Sequence, residues 1–281
     1  MTERIQINNS TYQFSDLPFT NNKDVLEFSV YLQELYQIIR NFISLIINEN
    51  TKVKITIGFV GGILDRIGES LMSTSYLSVK GFNRDVAIIL VNLIELRTDL
   101  KYVSENPNEA SNWLSHKERN HKPWRFSKQI EALKSDEMKR ADKKIYELCS
   151  MAKHGNPVGI DVGFNIGVCE EGIFYGGQNT NRITDYLHWA YYYAVDAVEA
   201  GLKILESYEL KFPTVQNEIN DLTKKVNLLN SKCLKRKIIE YAYQMHPEIK
   251  QIDEEIKRLT EEKEAVDRKI KALRQNINEI K

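Results

Sequence analysis

The chain is short of the residues that interrupt helices and of those that cross-link small domains. Of its 281 residues only six are proline, thirteen glycine and three cysteine. Cys149, Cys169 and Cys233 stand far apart with no Cys-x-x-Cys pair, which excludes a zinc knuckle or a disulfide framework and fits a reducing, cytoplasmic location. An excess of either charge is also missing. The 39 basic residues balance 39 acidic ones, so no global basic field exists to hold a long stretch of DNA, while a short RNA in a local basic cleft stays compatible. Long apolar runs are absent too. The stretches around Phe42 to Ile47 and Val86 to Ile94 fall far short of the roughly 20 residues that span a bilayer. The opening MTERIQINNSTYQF lacks the basic segment and apolar run of a signal peptide. A soluble protein without a membrane partner is expected.

What remains is helix-period patterning. Val25, Phe28, Tyr31, Leu32, Leu35, Ile38, Ile39, Phe42, Ile46 and Ile47 form a broad stripe, which predicts a core-facing helix from just after Asn22 to Asn48. Further helices are predicted over Ile55 to Tyr76, Asn83 to Val103, Glu109 to Trp113, Lys139 to Lys153 and Thr184 to Ser207. Gly58, Gly61 and Gly62 lie inside the second of these. No Lys-Ser or Lys-Thr follows them, so a phosphate loop is excluded and close helix–helix approach is the expectation. Between Ile160 and Tyr175 the alternation of apolar residues around Glu170-Glu171-Gly172 predicts a small β-hairpin.

After Lys211-Phe212-Pro213 the composition turns charged. Ile219, Leu222, Val226 and Leu229 step by three and four, and the spacing resumes at Ile249, Ile252, Ile256, Leu259, Val266, Ile270, Leu273, Ile277 and Ile280. Lys263 fills the one core position without an apolar residue. About four heptads with charged flanks predict a coiled coil, split into two arms at Pro247. A lone helix this polar is marginal in water, so the arms either fold back on each other or zip onto another subunit. The expected fold is mainly α. A helical bundle over 1–210 carries the hairpin near 160–175, and a coiled-coil arm follows over 211–281.

Four groups of residues carry possible chemistry. Arg182 and His188 have five residues between them. A histidine serves as general acid or base toward a ribose 2′-hydroxyl, and an arginine holds a phosphate. Together they suit metal-independent RNA cleavage. Were both helical they would point roughly 120° apart, so convergence needs Arg182 in a non-helical lead-in or the two residues from facing subunits. Otherwise Arg182 is a local cap and His188 a packed side chain. In Lys153-His154-Gly155-Asn156-Pro157 the cation, glycine and proline stop a helix; alternatively His154, beside Asn156, faces a cleft and contacts substrate. Glu95 and Asp99 share a helix face, with Arg97 on another, and a Glu on so apolar a helix needs a partner, a basic residue of the 117–125 loop being one. In SHKERNHKPWRF the basic residues, Arg119 and His121 among them, lie beside Trp113 and Trp124. This is either a single-strand nucleic-acid contact or a solvated loop pinned by two tryptophans. No metal or cofactor is expected.

The stretch from about Ile63 to Leu205 resembles a bacterial family of all-helical proteins of uncharacterised function. In order it shows Glu95 on a leucine-rich helix, Leu100-Lys101-Tyr102-Val103 at that helix's end, Ser150 with His154-Gly155, and the hairpin. The same layout distantly resembles HEPN-domain proteins, helical bundles that often dimerise and whose hallmark is an Arg and a His at the spacing of Arg182 and His188. That resemblance implies an endoribonuclease of prokaryotic antiviral-defence or toxin–antitoxin type. In it Arg182 and His188 would be catalytic, and His154, Asn156, Arg119, His121 and Glu95 would bind substrate at a homodimer or higher homo-oligomer interface. The alternative is a non-catalytic oligomeric sensor or adaptor, using the bundle and the coiled coil to bind partner proteins.

Overall fold

The computed structural model describes residues 3–7, 10–14, 22–48, 54–113, 130, 136–153, 164–169, 172–178, 180–245 and 247–280. The protein is mainly α-helical. Among the described residues seven long helices run in chain order: α1 (Lys23–Asn48), α2 (Lys54–Val79), α3 (Asn83–Glu105), α4 (Asp136–Lys153), α5 (Thr180–Glu206), α6 (Pro213–Met245) and α7 (Pro247–Ile280). Two short antiparallel strand pairs accompany them, β1 (Glu3–Ile7) with β2 (Ser10–Phe14) and β3 (Phe164–Cys169) with β4 (Gly172–Gln178).

Three helix ends show a local cause. Asn22 caps α1, its Oδ1 accepting the backbone N–H of Asp24 at 2.9 Å. The α2–α3 junction is a Schellman turn: Phe82 N–H reaches Leu77 O at 2.9 Å, and Gly81 N–H reaches Ser78 O at 3.1 Å. Gly81 supplies the left-handed backbone, with φ 82°. The end of α5 closes in the same way, through Leu210 N–H to Leu205 O and Glu209 N–H to Glu206 O. There a glutamate, Glu209, holds φ 66°. A side chain in that region carries a steric cost of roughly 1–2 kcal/mol.

The chain divides into two compact units, Met1–Asn230 and Ser231–Lys281. In the first, α3 packs against α2, α4 and α5, and α1 packs against α2 and α5. Phe28, Leu32, Ile39, Phe42, Ile63, Ile67, Leu90, Ile94, Leu187, Tyr191 and Val198 are closed to water in this core. Small residues set the α1–α2 spacing, where Ser29 and Ser75 exchange hydroxyl-to-carbonyl hydrogen bonds at 3.2 Å. The close approach expected at Gly58, Gly61 and Gly62 falls elsewhere. A side chain at Gly58 would meet nothing within 4 Å, whereas one at Gly68 would stand 3.1 Å from Tyr36 and one at Gly201 3.2 Å from Val60. Periodicity locates a glycine on a helix, but which helix crosses over it is a tertiary fact.

The first part of α6, up to Asn230, belongs to the bundle unit. Val215, Ile219, Leu222, Val226 and Leu229 are all buried. Tyr191 and Tyr192 of α5 bond to Thr223 and Asn227 of α6 at 2.9 and 2.6 Å. In the second unit, α7 is a helix of 34 residues. Ile249, Ile252, Ile256, Leu259, Val266 and Ile270 along it are 40 to 58 % exposed. Among the described residues no helix is long and apolar enough to cross a membrane.

The two Schellman turns give a paired test. Gly81→Ala is expected to cost about 1–2 kcal/mol, because the added Cβ enters a left-handed backbone. Glu209→Gly is expected to gain up to about 1 kcal/mol by relieving the same clash. Urea denaturation midpoints of the two variants should move in opposite directions.

Candidate functional site

A polar cluster is built into the apolar helix α3. Arg97 is 2 % exposed and lies among residues from three helices. Its Nη2 donates to Asp142 Oδ2 of α4 at 2.8 Å. Its Nε stands 3.0 Å from Asp196 Oδ2 of α5, an ion-pair contact too bent to be a hydrogen bond. The guanidinium also lies over the ring of Tyr193, 4.9 Å from its centre, and the Tyr193 hydroxyl donates to Asp142 Oδ1 at 3.1 Å. One helical turn along α3, Lys101 Nζ grips both oxygens of Asp196 at 2.7 and 2.8 Å. Two cations and two carboxylates thus neutralise one another, which is what burial of such groups requires. Arg97 Nη1 is enclosed with no acceptor among the described residues.

The cluster lines a cleft of about 420 Å³, which also exposes Trp189, Tyr192, Glu199, Asn220 and Thr223. Burial, then the neighbouring charge of Asp196, raises the Glu199 carboxyl above its ordinary range against the pull of Lys101. Burial, then the charge of Asp142, likewise holds the Tyr193 phenol strongly protonated. The arrangement is a charge-balanced anchor in which Nε and Nη1 of Arg97 find no hydrogen-bond acceptor among the described residues. The cleft beside it offers planar aromatic walls and a protonatable carboxyl.

Glu95 has a hydrogen-bond partner on α4, and the 117–125 loop lies outside the described residues. Glu95 accepts a hydrogen bond from Tyr146 Oη of α4 at 3.0 Å. Burial and that carboxylate push the Tyr146 phenol up to about 12. Arg182 lies within α5, which begins at Thr180. Arg182 is thus helical like His188, and a single α5 holds the two residues roughly 120° apart. His188 is half-buried and sits edge-on against aromatic rings, 4.7 Å from Tyr192 and 6.3 Å from Phe28, with its Nε2 enclosed. Arg119, His121, His154 and Asn156 lie outside the described residues.

Sequence reasoning singled out Arg97 but missed Asp142, Asp196, Lys101 and Tyr193. One signal was present in YYYAVDAVEAG, where Asp196 interrupts a run of small apolar residues on a helix otherwise suited to burial. No family model, curated protein or solved structure matches the chain, so the HEPN-like resemblance rests on the motif residues alone.

Removing Arg97 leaves Asp142 buried with only the Tyr193 hydroxyl. Arg97→Ala is expected to destabilise the bundle by about 3–5 kcal/mol. Lys101→Ala acts at the more open Asp196 and should cost about 1 kcal/mol or less. Comparing denaturation midpoints checks the ratio.

Proposed function

We propose that the protein is a non-catalytic oligomeric adaptor. Its bundle presents the Arg97-lined cleft to a ligand or partner group that carries an oxygen acceptor, and α7 sets the stoichiometry. One observation carries this reading. The bundle has closed its own core, yet α7 leaves a heptad stripe exposed, and an apolar stripe of that length calls for a covering partner. That Arg97 Nε and Nη1 find no hydrogen-bond acceptor among the described residues supports the binding role of the cleft it lines.

Sedimentation equilibrium of the full chain beside the double substitution Ile256→Asp and Val266→Asp tests it. The unsubstituted chain should be oligomeric and the variant monomeric, with unchanged helix content in the bundle. An oligomeric state that ignores both substitutions sinks the reading.

A second reading is favoured by the Arg182…His188 spacing on α5. In it the protein is a HEPN-like, metal-independent endoribonuclease of defence or toxin type, with a homodimeric site drawing Arg182 from one subunit and His188 from the other. The enclosure of His188 Nε2 between aromatic rings weighs against a general base there, since proton transfer needs the nitrogen within hydrogen-bond reach of the ribose hydroxyl. Incubation with labelled RNA decides between the two. The adaptor reading expects no cleavage by the unsubstituted protein or by His188→Ala, and cleavage lost only in His188→Ala establishes the nuclease.

A further inference from the structure

We infer that α7 pairs with α7 of a second copy, and that the two run antiparallel. The inference rests on the assembly reading above and adds to it the partner and the orientation. The heptad along α7 is unbroken, with a positions at Ile249, Ile256, Lys263, Ile270 and Ile277 and d positions at Ile252, Leu259, Val266, Leu273 and Ile280. The described apolar members of this stripe are exposed by 40 to 58 %, so the seam is formed and uncovered.

The flanking e and g positions choose the partner. Toward the start of α7 they are acidic: Glu248, Asp253, Glu255, Glu262 and Asp267. Toward its end they are basic: Lys269 and Arg274. In a parallel, in-register pair each g residue meets the next e residue of the other chain. That opposes Glu248 to Asp253, Glu262 to Asp267 and Lys269 to Arg274, so every charged pair is repulsive. The two Lys263 ammonium groups would also share one core layer. In an antiparallel pair g meets g and e meets e. The register that covers the whole stripe sets Ile249 across from Ile280 of the second copy. It brings Glu262 to Lys269 and Asp253 to Arg274, each twice by symmetry, and it opposes no like charges. Lys263 then lies across from Val266, where its aliphatic stem covers the core and its ammonium reaches the rim. The charge order along one helix is complementary to its own reverse, which identifies a second copy of this chain as the occupant.

Charge reversal in the full chain separates the two orientations. Glu262 and Lys269 are both exposed, so substitution leaves the helix intact. Glu262→Lys alone, or Lys269→Glu alone, turns two attractive pairs repulsive and should weaken the dimer about tenfold at low ionic strength. The double reversal restores Lys-to-Glu pairs and should return the dissociation constant to within about threefold. In a parallel pair each single reversal removes a repulsion and tightens the dimer. That result overturns the antiparallel orientation while the assembly reading stands. A dimer indifferent to the charges but broken by Ile256→Asp with Val266→Asp also overturns the orientation alone. A full chain that stays monomeric at all concentrations overturns self-pairing, and an oligomer indifferent to stripe and charges alike removes both inferences.

Discussion

A guanidinium that cannot reach water has to be answered from within, and Arg97 is answered by two other helices at once. Asp142 comes from α4, Asp196 and the Tyr193 ring from α5, and Arg97 itself from α3. An isolated charge in such a place costs far more than a domain's net stability, so the bundle holds together only in the arrangement that brings these partners in. Apolar packing alone is tolerant of small shifts in helix register. A bidentate cation among carboxylates is not, because displacement along an axis by one turn strands a buried charge. The network therefore works as a key for the relative placement of α3, α4 and α5, while the leucines and isoleucines around it supply most of the driving force.

The fold was legible where a property is local. The 3.6-residue stripe marks α1 through its buried face, and Asn22 and the Lys211-Phe212-Pro213 break mark ends within a few residues of those observed. The site was legible only in part. Arg97 and Glu95 stand out as charges on an apolar helix, but their partners lie 45 and 51 positions away, and nothing in the periodicity of α3 says which helix will face it. The aromatic partner of Glu95 was invisible for the same reason, since a tyrosine on an amphipathic helix reads as packing. The glycines show the same limit from the opposite side. Gly58 looks like a contact point and faces open space, while Gly68 and Gly201 carry the tight approaches.

The two stretches with heptad spacing separate for a reason that spacing does not contain. Ile219, Leu222, Val226 and Leu229 of α6 are buried within the bundle unit, and Ile252, Ile256 and Leu259 of α7 are more than half exposed. Both sets step by three and four. What differs is the company each keeps: α6 offers hydroxyl and amide partners to Tyr191 and Tyr192, whereas the stripe of α7 is flanked by charged residues along its length. A seam of this kind gains its stability from a matching seam, so the polarity of α7 is informative about assembly and not about the monomer.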